Sequence, residues 1–138
     1  MFRTASGILV LIVVQFFAMG DAVGGNTAPV NYILHCQGCH RPGGGGYPGI
    51  VPNMRNQVGL FLRSRDGRAF LVQVPGVSQS SLSDAELAAL MNWMLPEFDP
   101  LHVTSDFKRF TADEVREYRS TPIIELRARR RKLLSLER

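Results

Sequence analysis

An all-α fold is expected for this chain: a small helical domain followed by a helical C-terminal extension. Three observations lead there. The stretch SLSDAELAALMNWMLPEF, residues 81–98, sets Leu87, Leu90, Met91 and Met94 at helical spacing behind the capping-box pair Ser83 and Glu86. Two more helix starts follow it, at Thr111-Ala-Asp-Glu114 and at Thr121-Pro122. No stretch of any length reads as a strand, and there is no internal repeat.

The chain has 138 residues, of which 45% are hydrophobic and 20% charged, with a net charge of +4. Its start reads as a secretory signal. Arg3 precedes an apolar run at residues 7–19, and small residues around Ala18, Gly20 and Ala22 offer cleavage sites. The alternative, an uncleaved anchor, needs about 20 apolar residues and is favoured by downstream positive charge, whereas this run is shorter and no such charge closely follows it. This gives a signal peptide at 1–22, a core domain at 23–98 and a basic helical extension at 99–138, with no transmembrane span left after cleavage. What remains is enough for one modest core.

Along that domain, Thr27 is placed to cap a helix with Pro29 in its first turn, a helix that carries Tyr32, Ile33 and the cysteines. Residues 41–53, RPGGGGYPGIVPN, are too rich in Gly and Pro for helix or strand. Residues 58–62 suggest a helical turn or two, and Asp66-Gly67 a turn. AFLVQV, residues 69–74, is ambiguous by period and ends at Pro75-Gly76. In the long helix Leu82 and Leu87 are set for a hydrophobic staple, and Pro96 is the expected stop. The last helix carries Ile123, Ile124, Leu126 and Leu133 around RARRRK, residues 127–132.

The chemistry concentrates in HCQGCH, residues 35–40, which holds both cysteines and two of the three histidines. An exported protein meets an oxidising compartment, yet a Cys36–Cys39 disulfide would close a tiny loop and stabilise little. Structural zinc needs four ligands, usually in two pairs. Here there is one pair, with His35, His40 and His102 as the remaining donors, and His40 follows Cys39 too closely to wrap onto the same ion. A thioredoxin-like redox pair should follow a strand, and none precedes Asn31. Covalent haem attachment fits better: Cys36 and Cys39 as thioethers on the haem vinyl groups, and His40 as the proximal iron ligand.

With Tyr32 one turn before Cys36, Trp93 in the capped helix and Ile50-Val51-Pro52-Asn53-Met54 between them, residues 28–98 resemble the class I (mono-haem) cytochrome c family. The resemblance implies that the helices of Tyr32 and Trp93 cross beside one covalent haem c. It implies that the Pro52 carbonyl accepts a bond from the His40 ring, that Met54 packs on the haem, and that Trp93 lies near it. One departure stands out. The family takes its sixth iron ligand, a Met, from the loop before the last helix, and here that loop is VPGVSQSS, residues 74–81. Val74 or Val77 occupies the Met position, Gln73 and Gln79 are poor iron ligands, and no Met occurs between Met54 and Met91. The sixth ligand is therefore unassigned: an open or water-filled position, or Met54 or His102. Met91 and Met94 read as core residues, and His35 as an exposed helical side chain.

The expected function is that of an exported carrier, not an enzyme, relaying single electrons between periplasmic redox proteins, with no nucleic-acid partner. Two other classes remain open. One is a haem module that binds a diatomic gas or peroxide at an open iron. The other is a cytochrome subunit docked to a periplasmic dehydrogenase through residues 99–138. The RARRRK tract is either a solvated face or an electrostatic dock for an acidic partner.

Overall fold

The computed structural model describes residues 25–121 and 123–135. The signal-peptide reading of residues 1–22 lies outside them. Every described element of more than one residue pair is helical, and the one β-type contact is a bridge between Tyr47 and Val51. No helix among the described residues is long and apolar enough to cross a membrane.

The first helix and the cysteine motif are two pieces rather than one. α1, Ala28–His35, starts after Thr27 with Pro29 preset in its first turn, although the Thr27 hydroxyl makes no capping bond. At Cys36 the backbone leaves helical geometry (φ −124°, ψ −36°), and α2, Gln37–His40, forms a single new turn. The Gly/Pro segment then makes a 3₁₀ turn at Pro42–Gly44 and closes on itself through the Tyr47–Val51 pair. A second 3₁₀ helix, Val58–Arg63, stands where helical turns were expected.

Asp66-Gly67 is not a turn but the start of α3, Arg65–Gln73. The Ser64 hydroxyl accepts from the Gly67 amide at 3.0 Å, and Asp66 places a negative charge at the positive helix end. Gly67 is required there by contact, since a Cβ would run into the Phe61 carbonyl. The ambiguous AFLVQV is thereby helical. Pro75 ends α3 as expected but also opens α4, the single turn Pro75–Ser78.

α5, Asp84–Phe98, begins with the full capping box: Glu86 donates its amide to the Ser83 hydroxyl at 3.3 Å, and the Ser83 amide donates to Glu86 Oε2 at 2.9 Å. It does not stop at Pro96. The bond that Pro96 cannot donate belongs to the last turn, and Phe98 at its end is buried against Tyr32, ring centroids 5.0 Å apart. Tertiary packing holds the turn that the proline weakens. Gly44, at φ +77°, backs onto the same Phe98 ring, where a Cβ would come within 2.7 Å. α6, Ala112–Arg119, is capped by Thr111, which accepts from the Glu114 amide at 3.1 Å. α7, Leu126–Ser135, starts later than Thr121, so Ile123 and Ile124 precede it.

α1 crosses α5, and α6 packs on both α5 and α3. One core runs through all of them, and Val103, Phe110, Val115, Tyr118 and Leu133 of the extension belong to it. Polar links bind the extension to the core as well. The Asn92 side chain pairs with the Phe110 backbone in both directions (2.9 and 2.7 Å). Buried Asp99 accepts from the Gly59 amide at 2.7 Å and meets His102 Nδ1 at 2.8 Å. Arg68 forks onto both Glu114 oxygens at 2.9 Å, donates to the Lys108 carbonyl at 2.7 Å, and lies 4.0 Å over the Phe110 ring.

That pair makes stability depend on acid. Burial alone would raise the Glu114 pKa, but the bond and charge from Arg68 outweigh it and hold the carboxyl below its ordinary value of 4.5. The side chains are 9% and 12% exposed, so breaking the pair on one side should cost about 3 kcal/mol. A depressed folded pKa means stability present above pH 4.5 and lost as the pH falls through the folded value. Glu114→Gln should therefore unfold at lower denaturant at pH 7, with the gap to the parent narrowing below pH 4.5. Denaturant midpoints measured at several pH values check this.

Candidate functional site

α2 has the length of a single helical turn, and that turn carries the chemistry. The Cys39 and His40 amides both donate to the Cys36 carbonyl, at 3.1 and 2.9 Å, so Cys36, Cys39 and His40 share one tight backbone loop. The Tyr32 hydroxyl donates to the Arg41 carbonyl at 2.7 Å and reaches the His40 carbonyl at 3.2 Å, fixing the chain as it leaves the turn. Both cysteines are free thiols, Cys36 half-buried and Cys39 exposed. Burial, with Cys39 beside it, raises the Cys36 pKa, and burial lowers that of His40.

These three side chains border a cavity of about 390 Å³. Its other walls are Pro52 and Met54 from the loop before the second 3₁₀ helix, Phe61, Phe70 and Leu71, then Val74 and Val77, and Met91 and Met94 of α5. The walls are mostly apolar, with few polar groups near the mouth, as small-molecule and cofactor sites commonly are. Inside this wall His40 Nδ1 is buried with no hydrogen-bond partner. A nitrogen buried in this way is closed to anything in the cavity, so a ligand there would meet the other ring nitrogen. Two unpaired thiols and this imidazole, one turn apart on an apolar wall, suit a flat apolar group attached through sulfur and ligated through nitrogen.

Of the residues singled out from sequence, the fold brings Cys36, Cys39, His40, Pro52 and Met54 to this one cavity, together with Val74 and Val77. The bond expected between His40 and the Pro52 carbonyl is not made; Pro52 borders the cavity while Nδ1 stays unpaired. Trp93 does not border the cavity. It follows Met91 by two residues, about 200° around the helix. That turns its ring onto Tyr32 and Phe98 (5.8 and 5.7 Å), while Met91 and Met94 face the cavity. The two methionines are buried as expected, but they are also cavity wall. His102 is held by Asp99 away from this site. His35, exposed, stands at the rim.

Sequence reading missed two further wall residues, Leu126 and Arg130 of α7. Arg130 is the one Arg or Lys on the wall among the described residues; its Nη2 lies 3.4 Å from Gln57 Oε1 and its guanidinium 6.0 Å from the Phe61 ring. The spacing 126, 130, 133 was the available signal. It puts Arg130 on the same helix face as Leu126 and buried Leu133. Arg129 is engaged too, 2.8 Å from Asp66. The basic run is thus only partly a solvated face.

No family model matches the chain. Among curated proteins it is similar to a cytochrome c-552 of Thermus thermophilus, 27% identical over 138 aligned residues that span 86% of this chain and 93% of that protein. A second cytochrome c-552 of Thermus thermophilus is 30% identical over 118 residues, 71% of this chain and 90% of the relative. Likeness over nearly the whole of such a relative joins the helical fold and the cysteine-lined cavity in one conclusion: this chain belongs to the class I c-type cytochromes, electron carriers rather than enzymes, which bind haem covalently.

Proposed function

We propose that the protein is an exported mono-haem cytochrome that relays single electrons between periplasmic redox proteins. Cys36 and Cys39 form the haem thioethers and His40 is the proximal iron ligand. The observation that carries this is the single turn that brings free Cys36, free Cys39 and His40 together on an apolar wall. When bound, the haem supplies an iron that changes by one electron between its ferrous and ferric states.

The chain's own residues set the conditions for that exchange. Phe61, Phe70, Leu71 and Met91 line the cavity with apolar surface, and such surroundings are one of the levers on haem potential. Tyr32 fixes the backbone at His40, and Trp93 supports Tyr32 from α5 rather than touching the haem. Pro52 and Met54 flank the haem on the loop that follows the glycines. Arg130 offers a cation to the haem carboxylates. The sixth position has no donor from the 74–81 loop, because Val74 and Val77 carry no ligand atom. Met54 on the cavity wall is the remaining candidate from the sequence; were the position open, the second reading, binding of a diatomic gas or peroxide, would follow. The extension, residues 99–138, serves the core first; its exposed Arg127, Arg131 and Lys132 are the part left for an acidic redox partner, a dehydrogenase included.

The purified protein should keep its haem through acid–organic extraction, and Cys36→Ser or Cys39→Ser should weaken that retention. A colourless protein with an intact Cys36–Cys39 disulfide would refute the assignment. On the distal side, the ferric form should lack the weak long-wavelength band of sulfur–iron ligation, and the ferrous form should bind CO without displacing an internal ligand. A low-spin spectrum indifferent to CO would return a methionine, Met54, Met91 or Met94, to the iron. Electron exchange with an acidic partner should slow as salt rises, since exposed charges are screened beyond about 8 Å at physiological ionic strength. Reversing Arg127, Arg131 and Lys132 together should remove most of that salt slope in stopped-flow rates.

A further inference from the structure

The segment that borders the cavity at Val74 and Val77 has little of its own to hold it. α4 is one turn, closed by Ser78 to Val74 at 2.9 Å and Gln79 to Pro75 at 3.1 Å, with Pro75, Gly76 and Gln79 exposed. A lone turn is not stable in water, and the carbonyls at its end have no helical partner. Here those carbonyls converge on a single side chain from the extension. Arg119, in the last turn of α6, donates to Ser78 O through Nε (3.2 Å) and Nη2 (3.1 Å), to Ser80 O through Nη2 (2.7 Å), and to Leu82 O through Nη1 (2.9 Å). Nη1 also meets Asp84 Oδ1 at 3.1 Å, at the first residue of α5. The side chain is 19% exposed. The rigid guanidinium fork spans carbonyls that the chain would otherwise leave to water.

We propose that Arg119 is a positioning residue for the haem site. It fixes the loop that walls the cavity at Val74 and Val77, and so governs how readily an external ligand reaches the iron. An iron-bound side chain on this loop would tether it from inside; Arg119 tethers it from outside, through the C-terminal extension. The proposal rests on the reading of the cavity as the haem site. Lysine cannot take over the role, because a single ammonium cannot bridge three separated carbonyls in fixed directions.

The test uses the haem-loaded full chain, its Arg119→Gln and Arg119→Lys variants, and two measurements. The first is native-state amide exchange, comparing residues 77–80 with the centre of α5. The second is the association rate of CO with the ferrous form. Losing several hydrogen bonds at once should speed exchange at 77–80 by about tenfold or more in both variants, with a much smaller change in α5. CO association should quicken several-fold while covalent haem is retained. Parental exchange and CO rates in either variant would overturn the proposal, as would a uniform rise across all helices, which marks a general stabiliser. The parent alone gives a check that needs no variant: if its own 77–80 amides exchange as fast as an unstructured peptide, the clamp does not hold. A parent without covalent haem would instead refute the haem assignment, and the exchange arm would still report on the clamp.

Discussion

Tyr32 joins the two halves of the site, and most of the arrangement follows from where it sits. Its ring is buried between Trp93 and Phe98 where α1 crosses α5. Its hydroxyl, which could not be buried there unpaired, is satisfied by the carbonyls of His40 and Arg41. One side chain therefore fixes the helix crossing and the exit of the cysteine turn together. The same packing carries α5 past Pro96 to Phe98, and Phe98 in turn leaves room only for a glycine at position 44.

A second set of constraints ties the extension to that crossing, and these are polar and directional. Asn92 bonds the Phe110 backbone, Arg68 bonds Glu114 and Lys108, and Asp99 bonds Gly59 and His102. Buried polar links of this kind add little net stability when satisfied, but they penalise any other register heavily. They set where the described part of the extension lies, and hence where Arg119 meets the Ser78, Ser80 and Leu82 carbonyls and where Arg130 meets the cavity wall.

Features carried by local chemistry are legible in the sequence. The Ser83–Glu86 box, the helical spacing of Leu87 to Met94 and the cysteine turn each depend on residues a few positions apart. The misreadings all involve distant partners. Asp66-Gly67 looks like a turn because its glycine answers to the Phe61 carbonyl, not to a local bend. Pro96 looks like a stop because Phe98's burial against Tyr32 is invisible in a window of neighbours. Glu114 matches a capping box, yet its carboxylate is taken by Arg68, forty-six positions earlier. The charged run 127–132 hides Arg130's place, because the one signal for it is the short face that Leu126, Arg130 and Leu133 share.

The placement of Leu126 and Arg130 on the cavity wall bears on the order of assembly. A chain is made from its N-terminus, so the cysteine turn exists some ninety residues before the helix that walls it on the other side. Until α7 arrives, the cavity lacks one side and both thiols face an unfinished pocket. In the folded chain Cys36 is half-buried and burial shifts its thiol toward the less reactive protonated form. The window for forming a sulfur–carbon bond at Cys36 is thus widest before α7 docks, and α7 is the helix that closes it.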